Sequence, residues 1–148
     1  MRNTSNGITK YVVGFAFDEC KKKVILIRKL RPEWQKGALN GPGGVIEDDE
    51  SEYEAMAREF SEETGVITLS DWWRCKVVLE GDGWRVYFFS IILDNKVFNS
   101  AKTVTDEKVQ VVPTNRLFDY SMINNLTWLI PFCMYEPDIP ERVYFIGA

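Results

Sequence analysis

The stretch Gly44–Val66, GVIEDDESEYEAMAREFSEETGV, decides how the rest of the chain is read. Ser51 followed by Glu54 is a capping box and Gly65 a C-terminal stop, so a helix is expected over residues 52–64. At about 100° per residue, Tyr53, Met56, Ala57, Phe60 and Thr64 fall on one stripe, the face that would meet a core. Glu52, Glu59, Glu62 and Glu63 share the adjacent arc, with the small Ala55 among them. Glu59, Glu62 and Glu63 stand at i, i+3 and i+4, where like charges repel by roughly a few tenths of a kcal/mol per pair. No lysine lies between Lys36 and Lys76 to offset them. A hard divalent cation with oxygen ligands is the simplest external partner, and Mg²⁺ suits a site of carboxylates, waters and substrate phosphates, with Mn²⁺ as a substitute.

Immediately upstream, Gly43-Gly44 lets the backbone approach closely and offers peptide groups to a metal or a phosphate. Working outward, Tyr11–Phe17 and Val24–Arg28 are β-branched and aromatic runs that read as a hairpin. Arg31–Gly44 holds too many prolines and glycines for a continuous element and reads as a loop with an extended piece around Ala38–Asn40. Trp73–Glu80 and Trp84–Leu93 read as strands joined by Gly81-Asp82-Gly83, and Val109–Val112 as a short strand. Leu126–Tyr135 reads as a late helix with Pro131 near its first turn, and Arg142–Ile146 as a last strand. The order of elements predicts an α/β fold, and residues 1–148 a single domain with residues 1–7 as a flexible arm.

The composition excludes several chemistries. The 148 residues contain no histidine, so no Ser-His or Cys-His nucleophile pair and no His-bearing metal site can form. Cys20, Cys75 and Cys133 are odd in number and widely spaced, which favours reduced thiols in a cytoplasmic protein over a disulfide framework. The polar start MRNTSNG is unlike a signal peptide, and no apolar run approaches the about eighteen residues of a membrane span. The net charge of −4 is segregated: residues 1–36 carry +6, residues 47–63 carry −8 and residues 64–148 carry −2. An acidic chain is a poor binder of extended nucleic acid, whereas the segregation suits a small phosphorylated ligand between an acidic, cation-loaded pocket and a basic rim.

Taken together, Gly44, Glu50, Arg58-Glu59, Phe60, Glu62-Glu63, Gly65 and Val66 resemble the signature of the Nudix (MutT-like) hydrolases, G-x5-E-x7-R-E-U-x-E-E-x-G-U with U a bulky aliphatic. All fixed positions are present, an arrangement that chance would supply on the order of 10⁻⁸ times per starting position. Phe60 departs from the preferred aliphatic, on the core face. The resemblance implies an α/β/α sandwich with a mixed β-sheet that hydrolyses nucleoside diphosphates linked to another moiety. It implies that Glu59, Glu62 and Glu63 ligate metal, with the Gly43 carbonyl a further ligand, and that Glu50 pairs with Arg58 to orient the helix. Gly44 and Gly65 are then structural positions of the box. The reaction implied needs no imidazole: metal ions position and acidify a water while a carboxylate takes the proton. Glu62 is one candidate for that base. Glu107, in the later segment TVTDEKVQ, is an added ligand or base in preference to Asp106, or the two are a solvated turn pair.

The substrate is read from what flanks the box. Leu39–Gly44, LNGPGG, resembles the W-N-G-F-G-G stretch of an oxidised-purine nucleoside triphosphatase in the family, whose Asn contacts the base. Asn40 is either a base contact or a turn-stabilising Asn before Gly. Asn124, Asn125 and Trp128 fall roughly where that enzyme places base-binding residues, with Asn in place of Asp. Trp34 and Trp84 are candidates to stack a base, or core and rim residues. Arg28, Lys29, Arg31 and Lys36 are candidates for phosphate contacts, or a solvated strand edge. The reading is a Mg²⁺-dependent pyrophosphohydrolase acting on a nucleoside triphosphate, standard or damaged, as a monomer or homodimer. The alternatives are cleavage of another nucleoside diphosphate derivative, such as a nucleotide sugar, dinucleotide or RNA cap, and a non-catalytic nucleotide-binding module.

Overall fold

The computed structural model describes residues 7–134 and 143–147, the last strand of which is described by its backbone alone. The expected arm at residues 1–7 lies outside these except for Gly7, as do Tyr135 of the late helix and Arg142 of the last strand. In chain order the elements are β1 (Thr9–Phe17), β2 (Lys23–Arg28), β3 (Leu39–Asn40), β4 (Gly43–Val45), α1 (Glu52–Thr64), β5 (Arg74–Gly81), β6 (Trp84–Ile92), α2 (Asn95–Asn99), β7 (Val109–Pro113), α3 (Leu126–Met134) and β8 (Val143–Ile146).

The strands form one mixed sheet in the order β3-β2-β1-β6-β5-β8, with β4 paired to β1 and β7 to β2. Its centre is the parallel pairing of β1 with β6 over their full length, from Thr9↔Trp84 to Phe17↔Ile92. One edge of β1 is shared: its C-terminal end pairs with β2, and Tyr11–Val13 pair with β4. The period-2 alternation of the strands sorts side chains onto two faces. Val12, Ala16, Ile25, Tyr87 and Phe89 pack with Met56 and Phe60 of α1 on one face. Phe15, Phe17, Leu26 and Phe88 pack with Leu126, Leu129 and Ile130 of α3 on the other. Helices therefore cover both faces of the sheet, the α/β architecture expected.

The structure corrects the sequence reading in three places. Gly43-Gly44, read as the end of the Arg31–Gly44 loop, belong to strand β4, because the two glycines let the backbone lie against β1. Trp73, read as the first residue of β5, ends a 3-10 turn instead and is buried against Phe60, its indole N–H donating to Thr68 Oγ1 at 2.8 Å. Pro131 is the sixth residue of α3 rather than a first-turn residue; burial of Leu126, Leu129, Ile130 and Cys133 holds the helix through it. Ala55, on the arc it shares with Glu59 and Glu62, is fully buried. The short helix α2 was not foreseen, although Asp94 caps it by accepting from Val97 N at 2.9 Å.

Candidate active site

Helix α1 begins and ends where its sequence dictates. Ser51 Oγ accepts from Glu54 N at 3.1 Å, and Glu54 Oε1 accepts from Ser51 N at 2.8 Å. Gly65, at φ 77°, closes the helix with its N–H on Ser61 O at 2.9 Å. With Met56 and Phe60 anchored in the core, Glu59 and Glu63 are turned toward β4. Gly43 N donates to Glu63 Oε2 at 3.1 Å. A Cβ at Gly44 would sit on the Glu59 carboxylate, and one at Gly43 on the backbone of Val12, so neither position admits a side chain without rearrangement.

Arg58 organises the carboxylates. Its Nε and Nη2 donate to the two oxygens of Glu50 at 3.0 and 2.6 Å, and Nη2 also donates to Val45 O at 3.1 Å. Its Nη1 reaches Glu59 Oε2 at 3.1 Å and the Glu62 carboxylate at 3.4 Å. Glu50 is further held by Glu47 N at 2.9 Å. The guanidinium thus ties the loop before α1 to the helix, and it holds the Glu50 carboxyl below the ordinary carboxylate range.

Glu59 and Glu63 shift in the opposite direction to Glu50. Burial first, and the neighbouring Glu59 next, push Glu63 up to about 8. Burial also raises Glu59, against the pull of Arg58. Two adjoining buried carboxyls that resist ionisation together are a donor set for a hard cation, which would take the place of the shared proton. Glu62, whose side chain is 56% exposed, stands one step outward. Among the described residues no three Asp, Glu, His or Cys are gathered as a ready-made cluster. Glu59 and Glu63 are the pair already in place, and they fit a divalent ion.

On the other side of β4 lies a cavity of about 660 Å³. Its floor follows from the β1–β6 register: Tyr11 and Val13 alternate onto the same side as Trp84, Val86 and Phe88. Gly41, Gly43 and Gly44 form one edge, Asn124 and Asn125 another, and Pro32, Trp34 and Gln35 a third. Among the described residues Lys29 is its one charged lining residue. The glycine strand therefore touches both the carboxylates of α1 and the cavity.

The structure divides the residues singled out in the sequence. Asn40, Trp84 and Asn125 line the cavity, as does Trp34. Asn40 also serves the turn, its Oδ1 accepting from Gly41 N at 2.8 Å, while its Nδ2 meets Gln35 Oε1 at 3.4 Å. Asn125 Oδ1 accepts from Trp128 Nε1 at 3.1 Å. Arg28 and Lys36 do not line the cavity. Arg28 is instead committed to Gly37 O at 2.7 Å and Gln110 Oε1 at 2.8 Å, a structural assignment, and Lys36 is exposed at the end of a 3-10 turn. Arg31 pairs with Asp106. Glu107, considered as a ligand or base, is turned to residues 29–31: Leu30 N at 2.7 Å, Lys29 Nζ at 3.1 Å and Arg31 N at 3.3 Å. Burial alone would raise its carboxyl, but these donors, led by Leu30 N–H, hold it below the ordinary range. Sequence reasoning missed Gln35 and the Tyr11–Val86–Phe88 floor. The alternation of β6 carried the signal for the floor, and the missing fact was its parallel pairing with β1.

A mixed sheet with helices on both faces, and a glutamate-bearing helix laid against a glycine strand, define an α/β domain built around a carboxylate site. A family model described as the NUDIX domain matches residues 9–128, and the chain belongs to that family. Nudix domains imply hydrolases acting on nucleoside diphosphate derivatives, generally with a divalent metal such as Mg²⁺. The fold is similar to MutT in a study of the Aliivibrio salmonicida and Vibrio cholerae proteins, with 18% identity and TM-score 0.68, covering 86% of this chain and 98% of that one. It is also similar to MutT of Bacillus halodurans, with 18% identity and TM-score 0.67, covering 94% and 88%. The NUDIX domain of Shewanella oneidensis NrtR, solved with ADP ribose, matches at 17% identity and TM-score 0.69, covering 86% of each chain. No curated protein sequence matches significantly. Among the described residues no helix is long and apolar enough to cross a membrane.

Proposed function

We propose that the protein is a Mg²⁺-dependent pyrophosphohydrolase that cleaves a nucleoside triphosphate, standard or damaged, to the monophosphate and pyrophosphate. The observation that carries this reading is the position of Gly43-Gly44 between the Glu59–Glu63 pair and a cavity that has tryptophans and carboxamides on its walls. Glu59 and Glu63, with Glu62 brought in beside them, would hold the metal. Bound Mg²⁺ supplies charge neutralisation at the phosphates and acidification of water. Arg58 keeps Glu59 and Glu62 aimed, fixed in turn by Glu50. Asn40 and Asn125 present neutral donors and acceptors to a base, and Trp34 and Trp84 offer aromatic faces to it. Lys29, which lines the cavity, is the cation this reading assigns to the substrate phosphates.

The test is a panel of nucleoside triphosphates, oxidised purine triphosphates, ADP-ribose, other nucleotide sugars and dinucleotides, assayed for products with Mg²⁺ and with EDTA. Release of pyrophosphate from a triphosphate, abolished by EDTA and by Glu63→Gln, supports the reading. Turnover confined to ADP-ribose or a dinucleotide moves the substrate to another diphosphate class. Nucleotide binding without turnover of any member favours a sensing module.

A further inference from the structure

The segment Leu30–Gly37 forms a strap over one edge of the cavity. Its neck is closed by Lys29 N on Ala38 O at 2.9 Å and Gly37 N on Lys29 O at 2.8 Å. None of its side chains is buried, and Trp34 is 72% exposed. Hydrophobic anchoring therefore does not fix where Pro32, Trp34 and Gln35 stand, although all three line the cavity. Polar contacts must do so.

Apart from Arg28 Nη1 on Gly37 O at 2.7 Å, at the neck, those contacts converge from the turn before β7. Glu107, 7% exposed, accepts from the backbone N–H groups of Leu30 and Arg31 through Oε2 and from Lys29 Nζ through Oε1. Its own N–H is held by Thr105 Oγ1 at 3.1 Å, which fixes the carboxylate's base. Beside it, Asp106 accepts both Arg31 Nη2 at 2.7 Å and Arg31 Nη1 at 3.1 Å. The Arg31 pair is well exposed on both sides and so contributes little, whereas the Glu107 carboxylate is withdrawn from water and charge-assisted.

We propose that Glu107 is a positioning residue that clamps the Leu30–Gly37 strap and so builds the Trp34–Gln35 wall of the substrate cavity, taking no part at the reacting centre. Gln35 passes the constraint to Asn40 through their amide contact. The proposal deepens the reading of the cavity as the nucleotide site and rests on it for its kinetic consequence, but the clamp itself is independent of any substrate.

The experiment compares the wild type with Glu107→Ala and Glu107→Gln by amide hydrogen exchange and steady-state kinetics on the best substrate of the panel. In Glu107→Ala, peptides covering residues 29–37 should lose protection while those of α1 keep theirs. KM should rise by about tenfold, with a smaller change in kcat. Glu107→Gln keeps an acceptor oxygen for Leu30 N–H and loses the charge pair with Lys29, so it should recover part of both effects; if the alanine variant does not fold, the glutamine variant carries both measurements. Unchanged protection of the strap overturns the proposal. So does a large fall in kcat with KM unchanged, which would place Glu107 at the reacting centre. If the wild type turns over no nucleotide, the functional reading fails while hydrogen exchange still decides the clamp.

Discussion

Gly43 donates its amide to Glu63 Oε2 at 3.1 Å, joining the glycine strand to the last turn of α1 at a carboxyl that is only 8% exposed. Glu63 keeps its proton in the folded, metal-free protein up to about 8, while in the unfolded chain it gives it up near the ordinary value of about 4.3. The folded state thus binds more protons than the unfolded one across that window, and stability must fall as pH rises through it. Glu59, raised for the same reason, acts in the same sense. Glu50 works the other way, since Arg58 lowers it, but its contribution is lost only on acidification below the ordinary carboxylate range. Thermal melts in EDTA should therefore give a lower Tm at about pH 8.5 than at about pH 5.5. Mg²⁺ should stabilise more at the higher pH, where it no longer competes with the proton. A metal-free Tm that rises across this interval contradicts the assignment.

Gly44→Ala places a methyl group where the Glu59 carboxylate lies. The carboxylate must swing away or β4 must part from β1. Since Glu59 is a flexible side chain, the fold should survive with a loss of about 1–2 kcal/mol. Metal affinity and kcat should each fall by about tenfold or more, as for a misoriented ligand. Isothermal titration with Mn²⁺ and a melt on the same sample separate the two effects. A variant with wild-type metal affinity would mean that Glu59 is not held there in the working enzyme.

Arg58→Ala removes the donor shared by four partners, Glu50, Val45 O, Glu59 and Glu62, and strands Glu50, whose side chain is 13% exposed. Leaving a largely buried carboxylate without its cation costs about 3 kcal/mol, more than truncating a surface arginine would. The double variant Arg58→Ala with Glu50→Gln should recover part of this stability, because the stranded charge is gone, yet not the activity, because Glu59 and Glu62 have lost their guide. Denaturant unfolding of the two single variants and the double variant measures the coupling.

These predictions rest on features of unequal visibility in the chain. The helix and its acidic face were legible because capping, core stripe and carboxylates all repeat within thirteen residues, a local code. The Glu50–Arg58 pair was legible only through the family resemblance, since eight residues of separation across a loop say nothing of contact. Gly43-Gly44 was read as loop because glycine is depleted in strands; its pairing is dictated by Val12 and Val13, far away in sequence. Arg28 and Glu107 looked like free functional charges, and both are committed to backbone groups of the 29–37 segment, a non-local accounting of hydrogen bonds that no spacing reveals.

The cysteines offer a check on packing that is independent of catalysis. Cys133 lies on the buried side of α3, and burial pushes its thiol up to about 12. Cys20 is exposed in the turn between β1 and β2. Thiolate is the reactive form, so a neutral-pH disulfide reagent should modify Cys20 within minutes and leave Cys133 untouched until the protein unfolds.

Trp84 lies across Gly81, where a Cβ would collide with its indole, and is 39% exposed toward the cavity. The glycine thus lets the ring lie close over the β5–β6 turn while it lines the cavity. Trp84→Ala should raise KM for base-bearing substrates by about tenfold, the loss of one stacked base, while kcat changes little. Trp84→Phe should recover most of the affinity. Gly81→Ala should mimic Trp84→Ala by pushing the indole away, although it leaves the tryptophan in the chain. Nucleotide titrations followed by intrinsic fluorescence, with Trp34→Phe as a background that removes the other cavity tryptophan, would test all three variants. Equal affinity in wild type and Trp84→Ala would move the base elsewhere in the cavity.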